Sequence, residues 1–428
     1  MTDSTGPNPL AAPPGQSTPE YTQAFIARQP VFDSSGAIWG HELLFRHSLS
    51  AEHAVIEDAF QASLQVAMGS YVSPQWERKG QTRIMVNFTP RTIREQVPRI
   101  LPPGLSVVKV EEALLAEPGL IPLLVSLKAE GHLLAVDGLG GLIPAETLLP
   151  LADILVLDMP GKTWETLTAS MAPFRDQGPL FLAKRVEDHQ ALRLAKECGV
   201  TLFQGFFFQK PETFANKVLS SSQASRLSLV RLMEAPEPDF KKLAEAIGHD
   251  VSISFRLLAF LNSPFFGLAH KVESIRQALL LAGWTQMKTW LRLVVMADMT
   301  QGDKPSELAF LSAQRGRFLE SAARLTRKPG ATPERMFLFG LFSLLESIFE
   351  MPMAAIVAEL PLDGEVKDTL CGRPTTLSPW LDLACCFERA DWAGLSERFT
   401  LLGLDPVDTA ACYAESMQWA HSFFSYLR

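Results

Sequence analysis

Glu42 lies in the stretch GHELLFRHS, two residues before Leu44 and four before Arg46. A carboxylate set among apolar residues is costly to bury unless a charge of opposite sign or a metal ion meets it. The first question is therefore whether Glu42 holds a catalytic metal or is what remains of a site that no longer works. Further along, short apolar runs end at or near a polar residue: IMVNF at Asn87, LLAVD at Asp137, ILVLD at Asp158, FLAK at Lys184 and LFQG at Gln204. Carboxylate and amide oxygens are the ligands that hard divalent cations take. Other chemistries lack their motifs. There is no GxxxxGK[ST] phosphate loop and no GxSxG elbow. Five cysteines (Cys198, Cys371, Cys385, Cys386, Cys412) occur without a CxxC pair, so neither a zinc site nor a disulfide framework is indicated, and reduced thiols are expected.

The elements that must position these residues are legible in outline. Runs of four or five Val, Ile, Leu and Phe, each separated by about one helix and two loops, mark a parallel sheet buried on both faces. A closed barrel or a doubly wound sheet follows, and in a parallel barrel the C-terminal strand ends form the rim where sites are built. After Pro211 the pattern is helical only. A helix is predicted over 221–234, its apolar face supplied by Leu227, Val230 and Met233 and expected to rest on the helical domain, followed by the Pro-rich hinge APEP at 235–238. Asp239 caps the next helix, Ser252 opens another, and Ser274 with Gln277 forms a capping box. FLFGLFSLLESIF and LDLACCFERADW continue the helical period.

Composition sets the frame. At 428 residues the chain exceeds one ordinary core, and 47% hydrophobic with 20% charged residues is the balance of a globular protein. A formal net charge of −8 offers no broad basic surface for a nucleic-acid backbone. No apolar run is long enough to span a bilayer, and the Pro-, Gly-, Ser- and Thr-rich N-terminus lacks the pattern of a signal peptide, so a cytoplasmic protein with a disordered tail over 1–21 is expected.

These motifs carry a resemblance. RQPVFD, GHELLFR, MVNFTP, VDGLGG and LFQGFFFQKP, in this order, resemble the EAL family, cyclic di-GMP phosphodiesterases built on a modified (β/α) TIM-like barrel. ISFRLLAFLNSPFFG, SIRQALLLAGW and the FGLFSLLE helix resemble the HDOD domain, an all-helical and metal-free relative of HD phosphohydrolases. The pairing is that of the EAL-HDOD signalling proteins, which implies an EAL-like barrel over 22–212 and an HDOD helical domain over 213–428.

In active relatives two divalent metals activate water for attack on the phosphodiester. The resemblance places the retained family positions at Glu42, Asn87, Asp137 and Gln204. Glu112, Asp158 and Glu187 also match their motifs. Four positions are substituted: a metal-ligand glutamate falls on Lys109, the second aspartate of a pair on Gly138, a lysine on Val156, and another glutamate on Lys184. Two ammonium groups where carboxylates belong reverse the local electrostatics, and Lys109 and Lys184 are expected to neutralise Glu42 and Asp137.

The reading that follows is a bacterial signalling protein without catalysis, metal or cofactor, acting through contacts with other signalling proteins. A second reading is a metal-independent cyclic di-GMP receptor using Arg46, Gln204 and Glu42, since the resemblance puts Arg46 on a ligand phosphate and a guanidinium can bind phosphate unaided. Residual phosphodiesterase activity ranks last. The bland alternative makes Glu42 and Arg46 a rim ion pair, Asn87 and Asp137 loop-capping groups and Gln204 a plug. His249 and Asp250 form a His-Asp pair of the kind HD hydrolases use, but the nearest upstream histidine, His189, belongs to the other domain, so a loop role is expected. Phe265 and Phe266 read as packing residues. Partner identity, input signal and oligomeric state stay open.

Overall fold

Past the opening hairpin the strand runs are blocks of three to six residues rich in β-branched and large aliphatic side chains, bounded by Gly, Pro and polar turns, and they fold as such. The computed structural model describes residues 25–46, 83–175, 178–209, 221–235, 242–243, 247, 283–298, 303–326, 330–358 and 360–427. The expected tail, the APEP hinge beyond Ala235, the helix capped from Asp239 apart from the helical Lys242, Leu243 and Ile247, the helices capped from Ser252 and Ser274, and the residues His249, Asp250, Phe265 and Phe266 lie outside the described residues.

Eight strands close a barrel in sequence order: β1 (Phe25–Asp33), β2 (Ile38–Arg46), β3 (Arg83–Asn87), β4 (Ser106–Glu111), β5 (Leu133–Asp137), β6 (Ile154–Asp158), β7 (Leu180–Lys184) and β8 (Leu202–Gln204). Strands β2 to β8 run parallel, but β1 is antiparallel to both β2 and β8, which departs from a wholly parallel sheet. The reason is the short Ser34–Ala37 connection. It holds a tight turn, in which Asp33 accepts from Ser35 N at 2.8 Å and Ala37 N at 3.0 Å, and it has no room for the crossover that parallel neighbours need.

Among the described residues five helices dress the barrel: α1 (Pro90–Arg94), α2 (Leu120–Ala129), α3 (Ala145–Leu151), α4 (Trp164–Met171) and α5 (His189–Glu197). Thr89 and Thr163 open α1 and α4 with capping boxes, and Asp188 caps α5. Period-two alternation sorts the strand residues. Val31, Met85, Val107, Ala135, Ile154, Val156, Leu182 and Leu202 form the apolar plug inside the barrel, while residues such as Val86, Val108, Leu134 and Leu155 face the helices.

The second half is helical throughout its described residues: α6 (Ser221–Glu234), α7 (Trp284–Asp298), α8 (Asp303–Arg324), α9 (Pro333–Phe342), α10 (Leu345–Phe349), α11 (Met353–Ala358), α12 (Gly364–Leu370), α13 (Ser378–Arg389), α14 (Trp392–Leu402) and α15 (Pro406–Leu427). FLFGLFSLLESIF divides between α9 and α10, because the Ser343 hydroxyl donates to the Gly340 carbonyl at 2.7 Å and closes the first helix. Phe387 of α13 stacks on Tyr413 of α15 at 4.5 Å and meets Phe318 of α8 edge-on at 5.2 Å, which centres the helical core. Helix α6 rests on this half: Leu229, Val230 and Met233 are buried, and Glu234 accepts from Arg292 at 2.6 and 2.7 Å.

The two halves meet at β1. Helices α13 and α15 pack on this strand, and Arg28 reaches Glu307 of α8 at 2.7 Å while its guanidinium lies 4.5 Å from the centre of the Phe310 ring. No helix among the described residues is long and apolar enough to cross a membrane.

Candidate functional site at the barrel mouth

Side chains two residues apart on a strand share a face, so the interior plug fixes which polar residues stand above it. Asn87 follows Met85, Lys109 follows Val107, Asp137 follows Ala135, Lys184 follows Leu182 and Gln204 follows Leu202, all toward the C-terminal ends of their strands. Glu42 joins them from β2, in register with Met85 on one side and Gln29 on the other.

The charged groups form one cluster. The Lys109 ammonium lies 2.5 Å from Glu42 Oε1 and 3.2 Å from Asp137 Oδ2. Lys184 reaches Asp137 Oδ1 at 2.8 Å and donates to Oδ2 at 2.9 Å. Asn87 donates to Glu42 Oε1 at 3.3 Å, and Gln204 donates to Glu42 Oε2 at 2.6 Å. Two carboxylates and two ammonium groups balance to no net charge. Burial alone would push the Lys109 ammonium to lower pKa, but Glu42 and then Asp137 outweigh it and hold the value above that of ordinary lysine. Burial would likewise raise Asp137, and Lys109 with Lys184 reverses this and lowers it.

Magnesium-like cations require oxygen ligands at about 2.0–2.1 Å in near-octahedral order. A cation shared by Glu42 and Asp137 would have to lie where the Lys109 ammonium already stands, and Lys184 occupies the outer side of Asp137. The donor set of this chain does not fit a resident pair of divalent metals. Of the other substituted positions, Val156 is fully buried in the apolar plug and carries no charge to the mouth. Gly138 has φ +78, a left-handed backbone that glycine adopts without strain, and it opens the loop after β5.

Glu112 is buried and holds that loop in place, its carboxylate accepting from the backbone N of Gly140 at 2.5 Å and of Ile143 at 3.0 Å. Asp158 turns to the exposed Arg185, which donates to both of its oxygens, and Glu187 is exposed. Arg46 is the last residue of β2, and its side chain lies outside what the structure describes. His189 is the first residue of α5 on the barrel, in a different element from the helical half.

Sequence reasoning missed the groups that tie this site to the rest of the molecule. Gln29 accepts from Gln204 at 3.0 Å and donates to the Glu388 backbone carbonyl of α13 at 3.0 Å. The signal available was its place two residues before the interior residue Val31. On the outer face of the same hairpin, Arg28 donates to His41 Nε2, which places the imidazole proton on Nδ1. Burial first and Arg28 second pull His41 down to about 4, so its 3.7 Å approach to Glu307 is not an ion pair near neutral pH.

Comparison with known proteins agrees with this architecture. The HDOD domain family model matches residues 219–361. The chain is 30% identical over 410 residues to the uncharacterized protein YuxH of Bacillus subtilis, covering 94% of this chain and 98% of that one. It is also 30% identical over 399 residues to the cyclic di-GMP phosphodiesterase CdgJ of Vibrio cholerae, covering 92% of each. Among solved structures it is similar to the EAL domain of Mycobacterium smegmatis DcpA, at 21% identity and a TM-score of 0.36, over 43% of this chain and 91% of that one. The chain belongs to the EAL-HDOD family, in which an EAL-type barrel precedes an HDOD helical domain. Its two domains are related to cyclic di-GMP signalling.

Proposed function

We propose that this protein signals without catalysis: its barrel carries a phosphodiesterase-like site closed by lysines, and its output is contact with other signalling proteins. The observation that carries the reading is the buried Lys109 ammonium between Glu42 and Asp137, in the space a shared metal would need. Lys184 supports it by satisfying the same aspartate from the mouth side. Without a metal to polarise the phosphodiester or lower the pKa of a water, the retained Glu42, Asn87, Asp137 and Gln204 supply hydrogen-bond acceptors and amides but no activated nucleophile. Incubating the purified protein with cyclic di-GMP and magnesium or manganese is expected to leave the dinucleotide intact. Linear product that disappears in the Glu42→Ala variant would overturn the reading and assign this chain the activity for which its Vibrio cholerae relative is named.

A second reading is binding of cyclic di-GMP without hydrolysis or metal. It rests on Lys184, the partly exposed cation of the cluster at 26%, which binding would share between Asp137 and a phosphate. Isothermal titration with cyclic di-GMP separates the two. Saturable binding that is equal with and without magnesium supports the receptor; no heat at either condition leaves the protein-contact reading.

A further inference from the structure

The barrel mouth and the helical half are joined by a continuous line of hydrogen bonds that passes through the Glu388 backbone carbonyl. Gln204 Nε2 donates one hydrogen to Glu42 Oε2 at 2.6 Å and the other to Gln29 Oε1 at 3.0 Å. Gln29 Nε2 donates to the Glu388 carbonyl oxygen in the last turn of α13 at 3.0 Å. The carboxylate of the same Glu388 holds Arg315 of α8 through two bonds, at 2.5 and 2.7 Å. Arg315 in turn donates to Ser343 Oγ and to Gln209 Oε1, each at 3.0 Å, and the Gln209 carbonyl accepts from Ser347 of α10. The line starts at the Lys109 cluster and ends on three helices of the other domain.

The direction of both amides is forced. A carboxylate only accepts, so Gln204 must turn its NH2 group toward Glu42; a backbone carbonyl only accepts, so Gln29 must turn its NH2 group toward Glu388. The Gln29 oxygen is then left to face Gln204. Reversing either amide would set oxygen against oxygen, in a buried place for Gln204 and a partly buried one for Gln29, which costs more than a solvent-exposed mismatch. The arrangement is rigid, and a change in how Glu42 is held has a defined route to α13.

We propose that Gln29 and Gln204 are the coupling residues of this protein: they transmit the state of the Glu42–Lys109 pair to the C-terminal turn of α13 and, through Glu388 and Arg315, to α8. The inference rests on the reading that the helical half is the output, but it requires neither a ligand nor turnover. Whatever disturbs Glu42 is felt at α13, and by linkage whatever moves α13 is felt at Glu42.

The experiment is hydrogen exchange on the intact chain, read on peptides covering 386–392 and on the strands β2 and β4, for wild type, Lys109→Met, Gln29→Leu and the double variant. Lys109→Met is expected to speed exchange at 386–392 by about fivefold or more, the lower end of site-to-site coupling. Gln29→Leu is expected to raise exchange there by itself and to abolish the added effect of Lys109→Met, while β2 and β4 still respond. An unchanged 386–392 segment beside responding strands would overturn the proposal. So would an equal response with and without Gln29, because that is general loosening rather than transmission. Should Lys109→Met not fold, Glu42→Gln, which keeps the side-chain shape and removes the charge, is measured in the same two backgrounds with the same outcomes. Hydrolysis of cyclic di-GMP would sink the non-catalytic reading and leave this result standing, and a failed coupling here would leave that reading untouched.

Discussion

Lys109 is an ammonium that the barrel cannot lose without consequence. Its side chain is 4% exposed, and Glu42, at 3%, has no water to turn to if the lysine is removed. Lys109→Met is expected to destabilise the protein by roughly 3–5 kcal/mol, the usual result of leaving a buried charge unpaired. The double variant Glu42→Gln with Lys109→Met removes the charges together and is expected to recover most of the loss; urea denaturation of the four proteins measures it. The pH dependence of the cluster follows from its shifts. Asp137 is lowered below its ordinary 3.8, so its contribution is present above that value and is lost as pH falls through the lowered one. Lys109 is raised above its ordinary 10.5, so its contribution is full below that value and is lost only as pH rises past it. This cluster therefore contributes no change in stability across the neutral range. The identities of both lysines were plain in the sequence, whereas the reach of Gln29, although it belongs to the RQPVFD stretch, was not, because its partner Glu388 lies in the other domain.

At the scale of elements, the close crossing of α8 and α9 depends on two residues without side chains. A Cβ on Gly340 would lie 2.6 Å from the Arg315 carbonyl and 2.7 Å from the Gly316 nitrogen, and one on Gly316 would lie 2.9 Å from the Phe337 carbonyl. These obstacles are backbone, which cannot rotate aside. Gly340→Ala is expected to destabilise by about 3 kcal/mol, the upper part of the range for overpacking, and to displace Arg315 from Glu388. Gly364→Ala is its control: nothing lies within 4 Å of the added carbon, and it is expected to be neutral or to stabilise by about 0.5 kcal/mol. Thermal melts of the two variants make the comparison. FGLFSLLE was readable as a helix from its period, but neither its break at Ser343 nor the approach of α8 could be read from that segment, since both depend on what lies across the packing face.

For the whole molecule, the contact between halves contains a titratable lock. His41 and Arg28 project from the β1–β2 hairpin onto Glu307 of α8, with His421 of α15 adding a further repulsive charge when protonated. His41 titrates at about 4 in the folded protein against 6.5 as its ordinary value, so the unfolded chain binds the extra proton between those limits and stability rises with pH there. Acidification from 6.5 to 4 is expected to remove about 3 kcal/mol, at about 1.36 kcal/mol for each pH unit between the two values. Glu307, held at about 2 because Arg28 outweighs the effect of burial, adds a second loss as pH falls from 4.5 toward 2. Urea midpoints taken across this range should slope for wild type and flatten between 6.5 and 4 for His41→Gln; the same slope in both proteins would remove His41 as the cause.

By itself, and without marking β1 or β2 as strands, the sequence determined the parallel strand runs from residue 84 onward, their polar ends and the change from a strand-and-helix half to a helical half. These follow from short-range rules, the period of two in a strand and of about 3.6 in a helix, which need only neighbouring residues. It also showed two lysines, Lys109 and Lys184, at strand positions where the family resemblance implies carboxylates. Only the tertiary structure decided which carboxylate each lysine meets, since Lys184 and Asp137 are 47 residues apart and come together through the closure of the barrel. It decided the reversed course of β1, which a four-residue turn enforces once β2 is fixed. And it decided that Gln29 meets Glu388 across 359 residues, because that bond depends on how two separately folded layers come to rest against each other, which no local pattern encodes.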